Sequence, residues 1–172
     1  MWAFDEGRFG LKTWCRRRWC PRGVRPPWLV QDEYEWVWVY VAVEPTSGQC
    51  HVLLLPRVTG AWLAAYRHSR RQVTGDDALT VVLDNAPSHH SGAVTWPAGI
   101  TPPYSPECNP AEQVFRLLRS WLSNQIFATP EALKIALTGA LQRFWDHPQI
   151  LIDLTHYPWW QTATDVILPL SP

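Results

Sequence analysis

Three carboxylates stand at positions from which they could share metal ions: Asp5, Asp84 and Glu112. Asp5 closes the apolar run of residues 1–4, and Asp84 closes the apolar run LTVVL at residues 79–83. Glu112 falls in the first turn of the clearest helix pattern in the chain. Side chains at strand ends line the rim of an α/β sheet, where ligand sites form, and an acid in a helix's first turn can lean over the same rim. Carboxylates converging there repel one another unless cations lie between them. Mg²⁺ takes hard oxygen ligands and keeps several waters. Two such ions side by side can activate a water or hydroxyl and stabilise the leaving oxygen of a phosphodiester. The chemistry open to this constellation is therefore metal-dependent phosphoryl transfer. Each acid also has an ordinary reading. Asp5 could be solvated, with Glu6 the ligand instead. Asp84-Asn85 could be only a turn. Glu112 could pair with Arg116 and favour the helix dipole, with Glu107 as a rival acid.

The elements that must position these acids follow from pattern. Residues 34–43 (YEWVWVYVAV) are aromatic and β-branched, a strand signal, and residues 44–48 carry turn chemistry. Residues 49–55 complete an antiparallel hairpin. Residues 59–72 read as a helix with Trp62, Leu63 and Tyr66 on one side and Arg67, Arg70 and Arg71 mostly on the other. The run at 79–83 suits a strand buried on both faces. Asn109 and Pro110 open the next helix as N-cap and first residue, and Val114, Leu117, Leu118, Trp121 and Leu122 give it an apolar stripe. Another helix starts at Thr129-Pro130-Glu131 and runs to about Trp145. Residues 15–28, rich in Arg, Pro and Trp, read as a loop or irregular hairpin. The order strand, hairpin, helix, strand, helix, helix is an α/β pattern.

Composition limits the function classes. The 172 residues suit one domain, and 47% apolar content excludes a disordered tail. The formal net charge of +0 shows no bulk basic face of the kind a complete DNA-binding protein carries. A phosphate-binding surface must be local, and Arg16, Arg17, Arg18, Arg22 and Arg25 form the densest cluster. Such contacts are salt-sensitive and carry little sequence information. The 12 tryptophans are expected mostly in the core or half-buried. Cys15, Cys20, Cys50 and Cys108 lack zinc spacing and read as free thiols. With no leader and no long apolar run, the expected compartment is a reducing cytoplasm, in association with the nucleoid.

The local words are more specific. Residues 5–11 (DEGRFGL), with Trp19-Cys20-Pro21-Arg22-Gly23 and Arg25-Pro26, resemble the first block of mariner-superfamily transposases, in particular the bacterial insertion sequence 630 family. Residues 83–89 (LDNAPSH) resemble the second block, and residues 102–112 (PPYSPECNPAE) the third. The resemblance covers roughly residues 2–146. It implies an RNase H-like mixed sheet flanked by helices, with Asp5, Asp84 and Glu112 as the catalytic, metal-binding acids. It implies two Mg²⁺ ions, replaceable by Mn²⁺, and cleavage and strand transfer at the ends of a mobile element. The implied partners are double-stranded DNA, meaning element ends and a TA target, and a second copy of the chain. His89 would lie near the scissile phosphate, and Asn85 and Tyr104 would position loops.

Two departures from the family shape the expectations. The sequence opens at the first block, whereas family members carry helix-turn-helix domains ahead of it, so a separate helix-turn-helix chain is an expected partner. The family also has a hydrophobic strand before the third block. Here residues 96–103 (WPAGITPP) hold three prolines, which cannot donate to a ladder, so one inner strand is expected to be shortened or missing. A catalytic domain over residues 1–146 and a tail over residues 147–172 are expected. The competing readings are an inactive remnant that at most binds DNA or a full-length transposase, and a stand-alone RNase H-like nuclease.

Overall fold

The computed structural model describes residues 1–24, 27, 30–74, 81–83 and 109–167. Within them, β1 (Trp2–Gly10), β2 (Trp36–Glu44) and β3 (Gln49–Leu55) form a meander, followed by α1 (Gly60–Thr74) and the short β4 (Val81–Val82). Four helices follow among the described residues: α2 (Pro110–Trp121), α3 (Pro130–Asp146), α4 (Gln149–Thr155) and α5 (Pro158–Ile167). The strand order is β3-β2-β1-β4. β1 pairs antiparallel with β2 and parallel with β4, through Trp2 with Val81 and Ala3 with Val82. The result is the expected mixed sheet flanked by helices.

Side-chain alternation along the strands gives the sheet two buried faces. Ala3 and Phe9 of β1, with Val37, Val39, Val41 and Val43 of β2, join the core built by α2, α3, α4 and Trp160. Trp2 and Phe4, with Tyr40 and Ala42, pack against Leu63 and Tyr66 of α1. Phe4, Tyr40 and Tyr66 form a tilted aromatic cluster. The two tyrosine hydroxyls donate to the carbonyls of Arg57 and His51 at 3.0 and 2.9 Å. Burial, reinforced by the Glu6 carboxylate, pushes the Tyr40 hydroxyl up to about 12, which keeps it a donor.

The helix starts follow the capping chemistry of the sequence. The Asn109 side chain accepts from Ala111 N at 3.0 Å, and that of Thr129 accepts from Ala132 N at 3.1 Å. Proline opens α2, α3 and α5, where its missing N–H has no helical partner to lose. In the β2–β3 turn Gly48 holds φ 70°. A Cβ there would collide with the Pro148 carbonyl oxygen, so the hairpin tip sits directly on the start of α4.

Three expectations change. β1 does not stop at Asp5: it continues to Gly10, because β2 supplies antiparallel partners from Val43 to Trp36. Asp5 is therefore a mid-strand residue. The tryptophans divide: Trp2 and Trp160 are buried, but Trp14, Trp19, Trp62, Trp145 and Trp159 are exposed. The stretch after His147, unreadable from its prolines, forms α4 and α5, and these bury Leu151 and Trp160 in the main core. The segment expected as a loop or irregular hairpin, residues 15–28, has no helix or strand among its described residues, and its flanks are drawn together by Leu11 N bonded to Glu35 O and Thr13 N bonded to Gln31 O. Asp84, Asn85, His89, Tyr104, Glu107, Cys108, Arg25 and the proline-rich segment 96–103 lie outside the described residues.

Candidate active site

Asp5 is 8% exposed and lies on β1 in the alternation of Ala3, Gly7 and Phe9, toward the face that carries α2. Glu6 alternates to the other face, opposite Tyr40 in the ladder. Of the two neighbouring acids, Asp5 is the one on the α2 side. Its Oδ1 accepts from Glu6 N at 2.8 Å.

Two contacts fix α2 against β1 around this residue. The buried Asn109 amide donates through Nδ2 to the Phe4 carbonyl at 3.0 Å, while its Oδ1 caps the helix. One side chain thus ties the start of α2 to the residue before Asp5. Farther along, the Phe115 ring lies over Gly7: a Cβ on Gly7 would sit 2.7 Å from Phe115 Cδ1. Only glycine permits that approach. Asp5 and Gly7 share one side of β1, and Glu112 precedes Phe115 by three residues, so they share one side of α2. The half-buried Glu112 belongs to the turn of α2 between the Asn109 strap and the Phe115 contact.

Glu112 makes no ion pair with Arg116 among the described residues, although its place in the first turn of α2 does favour the helix dipole. Its groove is lined by Trp14, Arg16, Glu112, Gln113, Arg116, Arg119 and Ser120 and encloses about 550 Å³. One wall is α2; the other is the start of the irregular hairpin. Asn124 clips the two together. Its backbone N–H bonds Trp14 O at 2.8 Å, its Oδ1 accepts from Arg16 N at 2.9 Å, and its Nδ2 donates to Arg16 O at 3.1 Å. Asn124 adopts φ 59°, a conformation that asparagine tolerates better than most residues. The Arg16 guanidinium also bonds the Ser120 hydroxyl.

Asp5 and Glu112 are thus brought onto packed elements of one face. Leu83, the residue before Asp84 in the chain, is buried on the α1 side. No group of three metal-binding side chains occurs among the described residues, which do not include Asp84. The donor set suits a hard divalent cation: two carboxylates, one buried and one half-buried. Sequence reasoning missed the second role of Asn109, as well as Trp14, Gln113, Arg119 and Ser120. For Arg119 and Ser120 the available signal was spacing, since they follow Glu112 by seven and eight residues on one helix face.

The fold and this face define an RNase H-like domain with acids on its central strand and on a flanking helix. Residues 1–134 match the family model of the DDE superfamily endonuclease, and the chain belongs to that family. An uncharacterized protein, y4pE/y4sA, of Sinorhizobium fredii (strain NBRC 101917 / NGR234) is 30% identical over 130 residues, covering 72% of this chain and 96% of that protein. The fold is similar to that of Mos1 in its strand transfer complex, with TM-score 0.65 and 18% identity over 90% of this chain and 50% of that one. It is also similar to the Mos1 transposase paired-end complex with left transposon end, with TM-score 0.62 and 19% identity over 88% and 52%. A third similar structure is the mariner Mos1 paired end complex with Mg, with TM-score 0.59 and 19% identity over 90% and 53%. The chain spans about half the length of these Mos1 chains. The expected mariner-like, RNase H-like fold is thereby borne out.

Proposed function

We propose that this chain is the catalytic domain of a DNA transposase, and that Asp5, Asp84 and Glu112 hold its divalent metal ions. The observation that carries the proposal is the double tether of α2 to β1. The Asn109–Phe4 hydrogen bond and the Phe115–Gly7 contact flank the Asp5–Glu112 pair of elements. That arrangement is costly to build unless the acids work together, since it sets one buried and one half-buried carboxylate on one face. Family membership supports the same reading. Magnesium or manganese in such a site would activate the attacking oxygen and stabilise the leaving one.

The residues of the chain have distinct tasks in this scheme. Asp5 supplies a carboxylate held rigidly by a paired strand. Glu112 supplies one from a helix whose start is pinned, so its approach to Asp5 depends on Asn109. Asp84, next in sequence after the buried Leu83, completes the set. In the reaction, a water oxygen bonds to phosphorus, the bond to the 3′ oxygen breaks, and that oxygen leaves as a hydroxyl. The freed 3′ hydroxyl oxygen then bonds to the phosphorus of a target phosphodiester, the target's own P–O3′ bond breaks, and that oxygen leaves as a hydroxyl; a TA step is the expected site. Element-end DNA, a second copy of the chain and a helix-turn-helix chain are the partners of this scheme.

Calorimetric titration with Mn²⁺ tests the metal set. Wild type should bind, and Asp5→Ala, Asp84→Ala and Glu112→Ala should each bind far more weakly while retaining their circular dichroism spectra. A nicking assay with Mg²⁺ or Mn²⁺ on element-end duplex should lose activity in the same variants. Equal Mn²⁺ binding by wild type and Asp84→Ala would overturn the assignment.

A further inference from the structure

The groove beside Glu112 has more cationic and aromatic character than metal binding requires. Glu112, Arg116, Arg119 and Ser120 occupy one face of α2 and extend along about 12 Å of helix. Arg16 and Trp14 face them from the hairpin. Among the described lining residues three are arginines and one is an acid, and none of these arginines forms an ion pair among the described residues. Arg119 Nε is buried without a hydrogen-bond partner among the described residues. Its guanidinium is held over the rings of Trp14, Phe9 and Phe115, at 5.0, 5.5 and 5.8 Å. Trp14 itself is 46% exposed. A half-buried cation fixed by three aromatic rings, with no acid partner among the described residues, is a site prepared for an anion.

The wall that carries Trp14 is built rather than loose, because three hydrogen bonds from Asn124 hold residues 14 and 16 against the end of α2. From these features we infer that the groove binds a single-stranded segment of the nucleic acid substrate, beside the position of the scissile phosphate. Arg16, Arg116 and Arg119 take its phosphates, and Trp14 stacks on a base. This rests on the transposase reading and adds the strand's path to it. Three observations select an unpaired strand over a duplex. The volume of about 550 Å³ is that of a small-ligand pocket. An aromatic ring can stack only on a base that has left its own stack. Cations interleaved with an aromatic are the pattern of single-strand grooves. Glu112 at the same groove means that a strand seated there brings a phosphate to a carboxylate, an approach that a bound divalent cation makes favourable.

The test is fluorescence anisotropy of the whole chain with a labelled oligo-dT strand and with a labelled duplex, over a range of salt. Arg116 is exposed, so Arg116→Gln leaves packing intact. Lys134→Gln, at an exposed lysine that is not among the residues lining the groove, is the control for removing a positive charge. Trp14→Ala should weaken oligo-dT binding roughly tenfold and affect the duplex much less. Arg116→Gln combined with Arg119→Gln should flatten the salt slope by about 0.7 for each phosphate that is no longer neutralised, and Arg119→Lys should restore part of it. Mn²⁺ binding should persist in Trp14→Ala and Arg116→Gln, which separates failure of the groove from failure of the metal site. The inference is overturned if the double Gln variant behaves like Lys134→Gln. It is also overturned if the duplex binds as tightly as the single strand and is equally sensitive to Trp14→Ala.

Discussion

Asn109 ties the start of α2, the helix that carries Glu112, to β1, the strand that carries Asp5. Replacing it with alanine removes two buried hydrogen bonds, the cap to Ala111 N and the strap to Phe4 O, each 3.0 Å long. An N-cap is worth about 1 kcal/mol, and a buried neutral hydrogen bond contributes about 1 kcal/mol net. The expected loss is therefore about 2 kcal/mol of a total of roughly 5–15. For a chain of this size that lowers the melting temperature by about 4–8 °C. Asn109→Ser separates the two bonds. Serine still caps the helix, but its shorter side chain cannot also reach Phe4 O, so about half the loss should remain. The functional reading is sharper than the stability reading. Both variants release the start of α2 from β1, so both should weaken Mn²⁺ binding, although neither changes a carboxylate. Thermal melts and Mn²⁺ calorimetry on the three proteins decide the matter. If Asn109→Ala melts within about 1 °C of wild type, against the shift expected for its size, the strap carries no energy. If it melts lower but binds Mn²⁺ unchanged, the strap does not position Glu112.

Two further outcomes follow from particular contacts. Gly7→Ala would place a methyl 2.7 Å from the Phe115 ring, and overpacking of this kind costs about 1–3 kcal/mol. Urea denaturation should show that loss, and pairing it with Phe115→Leu should recover part of it; a neutral Gly7→Ala would mean that α2 does not sit on β1 as described. Burial first, and then the Arg70 charge, hold the His51 imidazole below its ordinary value of 6.5, with the Tyr66 ring packed against it. The unfolded chain therefore takes up this proton at higher pH than the folded one. His51's contribution to stability is complete above pH 6.5 and declines as the pH falls toward the folded value. The urea midpoint should drop between about pH 7 and 5 by more in wild type than in His51→Gln, and equal drops would refute the assignment.

The sequence by itself determined the local elements and the candidate acids. The aromatic and β-branched content of residues 34–43, the turn chemistry of 44–48 and the run at 49–55 read as a strand pair, which β2 and β3 form. Asn109-Pro110 and Thr129-Pro130 announce helix starts because a side-chain acceptor must precede N–H groups that have no helical partner. The same proline signal stood unread at Pro158, which opens α5, because the prolines of the tail also suit a loop. Strand length was not legible at β1. The change from apolar to acidic at Asp5 looks like an end, but a strand ends where its partner ends, and β2 continues to Trp36. Only the tertiary structure decided which acid faces which layer. Asp5 and Glu6 are adjacent in sequence and part by alternation alone, one toward α2 and one toward Tyr40. The groove belongs wholly to tertiary structure. Trp14 and Arg16 meet α2 through Asn124, 108 residues from Arg16. No local pattern encodes that meeting, because hydrogen bonds between distant segments depend on the whole core bringing them within about 3 Å.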